Sequence, residues 1–430
     1  MLGGFVSAFR TPDLRRKLLF TMGVLALYRL GASVPTPNVD YVAIQKCISL
    51  GSTTSVMQLI NAFSGGALLR LSVFALGVMP YITASIIVQL LRTLIPRFQA
   101  LHDEGHDGQA KLTQYTRYIT IGFAAMQSAS YITLARKGLL LQNCTDPLLT
   151  SDTWYAISIM ILTMTAGTIL IMWLGERITE RGIGNGMSLL IFTSIASGFA
   201  SAGVSLRQSS GQFNGLWVLL TVLVVVVVIV FIEQSQRRIP VQYAKRMVGR
   251  KMLGGTSTYI PIKINMAGVI PVIFASSLLT LPQLVTQFSH SNAAWAVWIQ
   301  RYVTPTGAPL NMLMYTAFII FFAYFYTAIT FNPDEVADNM KKYGGFIPGI
   351  RPGKPTADYL DFVLSRITAA GSLYLAIVAL VPTILLVALN LNQRLPFGGS
   401  SLIIVVGVGL DTVKRIQSQL EQRHYEGFLK

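Results

Sequence analysis

His102 and His106 stand four residues apart, a spacing that would put two imidazoles on one helix face for a metal ion. They fall in a stretch rich in Asp, Glu and Gly with no third soft ligand, so they read as part of a solvated loop. The chain has no Gly-x-x-x-x-Gly-Lys-Ser/Thr and no His-Glu-x-x-His, so neither P-loop nucleotide hydrolysis nor zinc-protease chemistry has its residues. Gly182-Ile-Gly-Asn-Gly186 is glycine-rich but follows no predicted strand, which speaks against a dinucleotide site. Its expected use is to let a helix start close to its neighbours. The eighteen acids lie in loops or at the ends of apolar stretches, Glu233 and Asp411 being nearest to one. A carboxylate inside the membrane is the usual proton or sodium relay, and none is visible. No cofactor, metal or enzymatic activity is expected.

What remains is physical rather than covalent chemistry. The string Gly77-Val-Met-Pro-Tyr-Ile-Thr-Ala-Ser85 returns as Gly268-Val-Ile-Pro-Val-Ile-Phe-Ala-Ser276, with six of nine positions identical at an offset of 191 residues. Both copies lie in apolar stretches long enough to cross a bilayer. If spans alternate in direction, the copies run oppositely, as in an inverted-topology repeat. Ile82 and Ile273 are then equivalent and meet at one depth across a pseudo-two-fold axis. Facing aliphatic side chains hold back water and ions by dewetting, and they yield without breaking hydrogen bonds.

The elements that must position these residues are membrane spans. The chain is 52% hydrophobic and 12% charged, with a mean hydropathy of +0.55. Soluble domains carry about 25% charge. A span takes roughly 20 apolar residues, and ten candidates occur: 18–36, 72–91, 115–135, 154–174, 186–206, 214–232, 265–288, 310–331, 368–390 and 399–413. The first has no small-residue cleavage site after it and reads as a span rather than a leader. With the N-terminus in the cytoplasm, Lys46, Arg70, Arg136, Lys137, Arg207, Arg301 and Arg394 fall outside and Arg29 falls within the first span. The other Lys and Arg, of 34, all fall inside, which places both termini in the cytoplasm. The net charge of +16 also favours anionic lipids.

The repeat divides the chain into two halves, residues 1–206 with spans one to five and 207–430 with spans six to ten. Two long cytoplasmic loops, 233–263 and 332–366, stand out. The second holds Gly344-Gly-Phe-Ile-Pro-Gly-Ile-Arg-Pro-Gly353, whose Pro and Gly preset tight turns and display Arg351. The segment 61–72 is too short to span. Ser64-Gly65-Gly66 permits a sharp bend, so the segment either lies at the interface or folds back into a cavity. Cys47 and Cys144 fall on the outer side, where a disulfide is possible, but two isolated cysteines are expected to be unpaired.

Five ordered motifs carry a resemblance. They are Phe-Ser-Gly-Gly-Ala-Leu at 63–68, Ala-Leu-Gly-Val-Met-Pro-Tyr-Ile-Thr-Ala-Ser at 75–85, Glu-Arg-Gly-Ile-Gly-Asn-Gly at 180–186, Asn-Met-Ala-Gly-Val-Ile-Pro at 265–271 and Gly-Ile-Arg-Pro-Gly at 349–353. Together, over essentially the whole chain, they resemble the bacterial SecY family, the channel subunits of the general secretion translocon. The resemblance implies an all-α integral membrane protein. Its ten transmembrane helices would form two pseudo-symmetric, inverted five-helix halves that close as a clamshell around an hourglass pore.

The resemblance further implies a plug at 63–72, with Phe63, Ser64, Gly65, Gly66, Ala67, Leu68, Leu69 and Arg70. It implies a pore ring of Val78, Ile82, Met187, Ile191, Ile273 and Ile404, with Val78 and Met187 departing from isoleucine while staying apolar. The lateral gate would lie between spans two and three and spans seven and eight, with Thr83, Gln89 and Leu281 on its helices. The SecA motor or the ribosome would dock on Arg246, Arg250, Lys251, Arg351 and Pro352 and supply the energy. SecE, SecG, signal-bearing preproteins and a membrane insertase complete the implied partners, in the bacterial plasma membrane. A secondary small-solute transporter is the competing reading, since it too uses inverted repeats and broken helices. It would need a polar site at mid-depth.

Overall fold

The computed structural model describes residues 11–50, 61, 64–136, 138, 148–209, 212–243, 246–248, 251–253, 257–288, 294–305, 308–388 and 399–428. Ten long helices fall on the ten expected spans. In the first half they are α1 (Pro12–Gly31), α3 (Met79–Leu94), α5 (His106–Arg136), α6 (Trp154–Arg181) and α7 (Gly186–Ser209). A short helix, α2 (Tyr41–Leu50), follows α1, and α4 (Pro96–Asp103) follows α3. In the second half they are α8 (Gln212–Gln234), α9 (Ile270–Phe288), α11 (Pro309–Thr330), α13 (Lys354–Ala388) and α14 (Gly399–Phe428), with short α10 (Ala294–Tyr302) and α12 (Pro333–Lys342) between.

Judged by length and apolarity alone, three described helices qualify as spans: Trp154–Arg181, Pro309–Lys342 and Lys354–Leu385. A fourth qualifies if α3 and α4, bent by 99°, count as one. The others are shorter within the described residues, such as Leu219–Gln234, or carry basic turns at one end, as α1 does with Arg15, Arg16 and Lys17. Their environment still dictates the helix. The run Val224–Val228 has strand-forming side chains, yet α8 is helical, because only a helix satisfies its own backbone hydrogen bonds in hydrocarbon. Val225 and Ile229 are buried, while Leu223, Val227 and Phe231 are exposed on the opposite face. Leu162, Leu170 and Trp173 do the same on α6. Such apolar faces need lipid around them.

The two runs of five helices pack in the same order. In the first half α3 packs on α5, α5 on α6, α6 on α7, and α1 on α6. In the second α9 packs on α11, α11 on α13, α13 on α14, and α8 on α13. The halves meet at two principal seams, α3 against α9 and α7 against α14. One acid at a span end is neutralised between helices: Arg117 Nε and Nη2 donate to Glu176 Oε1 and Oε2 at 2.9 and 2.7 Å, joining α5 to α6.

The two long loops, 233–263 and 332–366, add a small sheet to this helical body. Strands β1 (Gln236–Tyr243) and β4 (Ser257–Lys263) pair antiparallel in the register Arg238↔Pro261, and β5 (Gly345–Phe346) joins the other edge of β1. Strands β2 (Arg246–Val248) and β3 (Lys251–Leu253) form a second hairpin beyond them. The sheet packs on α12 and α13 through Ile239, Val241, Ile262, Met340, Leu360 and Leu364. The two long loops are therefore one structure, and residues 333–342 and 354–366 of the second are helical rather than loop.

Candidate functional site

The repeat is visible in the backbone. Gly77 and Gly268, equivalent in the two copies, have φ of +57° and +61°, a left-handed conformation that favours glycine. Each is followed two residues later by a helix start, at Met79 and at Ile270, with Pro80 and Pro271 in the first turn. The first bonds match as well: Ile82 N donates to Val78 O at 3.1 Å and Ile273 N to Val269 O at 3.3 Å. The same residues in opposite halves thus aim Ile82 and Ile273 in the same way.

All six residues expected in the ring are buried, and all belong to one hydrophobic cluster: Val78, Ile82, Met187, Ile191, Ile273 and Ile404. They come from α3, with Val78 as its N-cap, and from α7, α9 and α14, the four helices that form the two seams. Met187 is brought in by the glycine-rich turn. Asn185 Oδ1 accepts from Met187 N and Ser188 N at 3.1 and 3.4 Å and so caps α7. A Cβ at Gly186 would overlap the Gly175 carbonyl, so the glycine lets α7 begin directly against α6. That is the use expected of the motif.

The segment 64–72 folds back into the protein. Ser64, Ala67, Leu68, Leu69 and Leu71 are buried, and Arg70 is exposed. Phe63 lies outside the described residues. The bend is closed by Gly66 N to Asn61 O at 2.9 Å and Leu69 N to Asn61 Oδ1 at 3.1 Å. Ala67 belongs to the cluster that holds the ring, while Leu68, Leu69 and Leu71 pack in a second cluster with Ile44 of α2 and Met160 and Met164 of α6. Arg29 Nη1 donates to Gly65 O at 2.6 Å. One residue earlier, Tyr28 OH shares a 2.6 Å hydrogen bond with Ser194 Oγ of α7 and stacks on Phe74. The sequence set Arg29 aside as a lone cation in a span; its position near the outer end of that span was the only hint of this contact.

Thr83 and Gln89 lie on α3, the helix that packs against α9. Thr83 is buried and its hydroxyl donates to Met79 O at 3.1 Å. Leu281 is in α9, and its side chain lies outside the described residues. Arg351 and Pro352 are exposed between the turn at 348–349 and the start of α13, with Thr356 Oγ1 donating to Arg351 O at 2.8 Å. Arg246 and Lys251 are in β2 and β3, and Arg250 lies outside the described residues. Asn265 has a role that sequence reasoning missed. Its Nδ2 donates to Glu233 Oε1 at 2.5 Å and to Gly268 O at 3.1 Å, fixing the repeat glycine to the end of α8.

Two expectations change. Cys47 is buried and disulfide-bonded, not a free thiol. Cys144, the chain's other cysteine, lies outside the described residues. His102 and His106, expected in a loop, are helical: His102 lies in the last turn of α4 and His106 starts α5 across the turn at Gly105, so they do not share a helix face. No group of three metal-ligating residues occurs among the described residues.

An inverted pair of helix bundles, meeting in a shared buried aliphatic cluster beside a folded-back segment, defines a multi-pass membrane protein of the channel class. The chain belongs to the SecY family, whose family model matches residues 72–413. The protein translocase subunit SecY of Streptomyces scabiei is 58% identical over 438 residues, covering 100% of both chains. That of Mycobacterium tuberculosis is 55% identical over 441 residues, again covering 100% of both. The solved structure of a protein-conducting channel matches 94% of this chain and 91% of its own, with TM-score 0.65 and 19% identity. Sec61 in the canine ribosome–channel complex matches with TM-score 0.62 and 17% identity over the same shares. At these identities the structural likeness is one of fold.

Proposed function

We propose that this chain is the central protein-conducting channel of a bacterial Sec translocon. It passes unfolded, signal-bearing polypeptides across the plasma membrane and releases transmembrane segments sideways into lipid. The observation that carries this reading is that the six apolar side chains expected of a ring come from both halves and share one larger buried cluster. Such a ring seals against ions in the closed state and widens by side-chain displacement. Residues 1–206 and 207–430 act as two shells that hinge at the α7–α14 seam and part at the α3–α9 seam, where Thr83, Gln89 and Leu281 face the gate. The segment 63–72 serves as the plug.

Energy comes from outside the chain. The sheet formed by the loops 233–263 and 332–366 serves as the dock for a SecA motor or a ribosome, with Arg246, Arg250, Lys251, Arg351 and Pro352 as contacts. The ribosome reading is supported by the relative solved in a ribosome–channel complex. SecE braces the two halves, SecG lies at the periphery, and a membrane insertase receives released segments. Both termini are cytoplasmic. The transporter reading gains no support from the ring, which offers no polar ligand.

The test uses liposomes holding this chain with SecE, to which SecA, ATP and a signal-bearing precursor are added. ATP-dependent protection of the precursor from protease is expected, and Arg351→Glu should abolish it while complex assembly persists. No protection with SecA bound would refute the channel reading. Protection that survives Arg351→Glu would move the dock elsewhere.

A further inference from the structure

A cavity of about 330 Å³ lies between the C-terminal turns of α3 and α11 and the helices α4 and α5. Helices α3, α4 and α5 of the first half line it, and α11 of the second closes it. Helix α9 packs against both α3 and α11, so the cavity straddles the two halves. Its lining is unlike the aliphatic ring. It presents the polar groups of Gln89, Arg92, His102, Gln109, Tyr326 and Thr330, and no carboxylate is among its lining residues.

Three features define what it would hold. Arg92, in the last turn of α3, makes no hydrogen bond or ion pair among the described residues; Asp103 attracts it from outside the lining without reaching ion-pair distance. A cation at such a place is stabilised by an anion. Gln89 Oε1 and His102 Nδ1 are buried with no hydrogen-bond partner, which is costly unless a ligand supplies one. Gln89 Nε2 reaches only Ser85 Oγ, at 3.5 Å. The ligand must therefore carry a negative charge and also hydrogen-bond donors. Depth is the third feature: Arg92 and Thr330 end their helices at the cytoplasmic side of the spans, at headgroup level.

We infer that this cavity binds a phosphate ester bearing hydroxyl groups, the chemistry shared by a phosphatidylglycerol headgroup and free glycerol phosphate. Arg92 takes the phosphate charge, Gln89 Oε1 accepts from a hydroxyl, and His102 Nδ1 hydrogen-bonds the same headgroup, as donor or acceptor according to its tautomer. The volume lies at the low end of small-ligand pockets, which hold roughly 300–1,000 Å³. A headgroup fits while acyl chains stay outside in lipid. The site goes beyond the channel reading and is tested without translocation.

The experiment is native mass spectrometry of the purified complex with phosphatidylglycerol or phosphatidylcholine titrated in. Phosphatidylglycerol should be retained in preference. Arg92→Gln and Gln89→Leu should each remove one tightly bound lipid, Arg92→Lys should keep it, and Arg97→Gln, an exposed arginine outside the cavity, should remove none. Thermal midpoints identify any variant that fails to fold, and Arg92→Lys then stands for the site. Displacement by millimolar glycerol phosphate would show that the headgroup alone is recognised. Retention against it would assign the site to intact lipid. Unchanged lipid retention in Arg92→Gln would overturn the proposal. So would loss of signal-peptide cross-linking in that variant with its lipid kept, which would make the cavity a peptide site.

Discussion

Replacing Arg29 by Met should loosen the plug. Arg29 Nη1 donates to Gly65 O at 2.6 Å, and Gly65 begins the turn that carries Ala67 into the cluster that holds Val78 and Ile82. A hydrogen bond from a charged donor contributes about 1.5–3 kcal/mol. Arg29 is itself exposed, so solvent screens the charge and the lower figure applies. A loss of about 1.5 kcal/mol raises the population of the displaced plug roughly tenfold, at 1.36 kcal/mol per decade. Ser64, Leu68 and Leu71 remain buried in the variant, so the segment should still refold into place. Chloride or dye efflux from liposomes holding the complex, without motor or precursor, measures that population. Efflux should rise several-fold to tenfold in Arg29→Met and less in Arg29→Lys, which keeps a donor. Efflux within twofold of the parent protein would refute the idea that this contact holds the plug.

The remaining predictions concern the ring, the repeat and its support. Ile82→Asn and Ile273→Asn, equivalent in the two halves, should each raise ion efflux to a similar degree; a leak from one alone would break the symmetric ring. Gly77→Ala and Gly268→Ala force a Cβ residue into a left-handed conformation and should each cost about 1–2 kcal/mol, read as a lower thermal midpoint. Gly23→Ala, in open space on α1, is the control and should not lower it. Asn265→Ala leaves Glu233 Oε1 and Gly268 O without their donor and should destabilise by roughly 2 kcal/mol. If Asn265→Asp were as stable as the parent by the same measurement, the amide would not be holding those oxygens.

Much of the architecture was legible because the bilayer imposes simple rules. Apolar length gave ten helices, and the Gly/Pro repeat predicted equivalent starts at Met79 and Ile270. The repeat also singled out Ile82 and Ile273, which the structure buries together. The other ring positions came from the family resemblance. The sheet formed by the two long loops was not legible. Its strands are short, two contain Pro at 240 and 261, and the β1–β5 pairing joins residues about a hundred apart. Local periodicity does not report such long-range pairing. Arg29, Asn265 and Tyr28 escaped for the same reason. Each looked like an isolated polar residue until the fold supplied Gly65, Glu233 and Ser194 as partners.

The central claim is that a polypeptide crosses through the ring. A photo-cross-linking residue placed at Ile82, Ile191, Ile273 or Ile404, in complexes carrying a precursor stalled mid-transit, tests it most directly. The lipid-facing positions Leu162 and Val227 serve as controls. Adducts with the precursor are expected at all four ring positions and at neither control. Adducts at the controls, or none at the ring, would contradict the account.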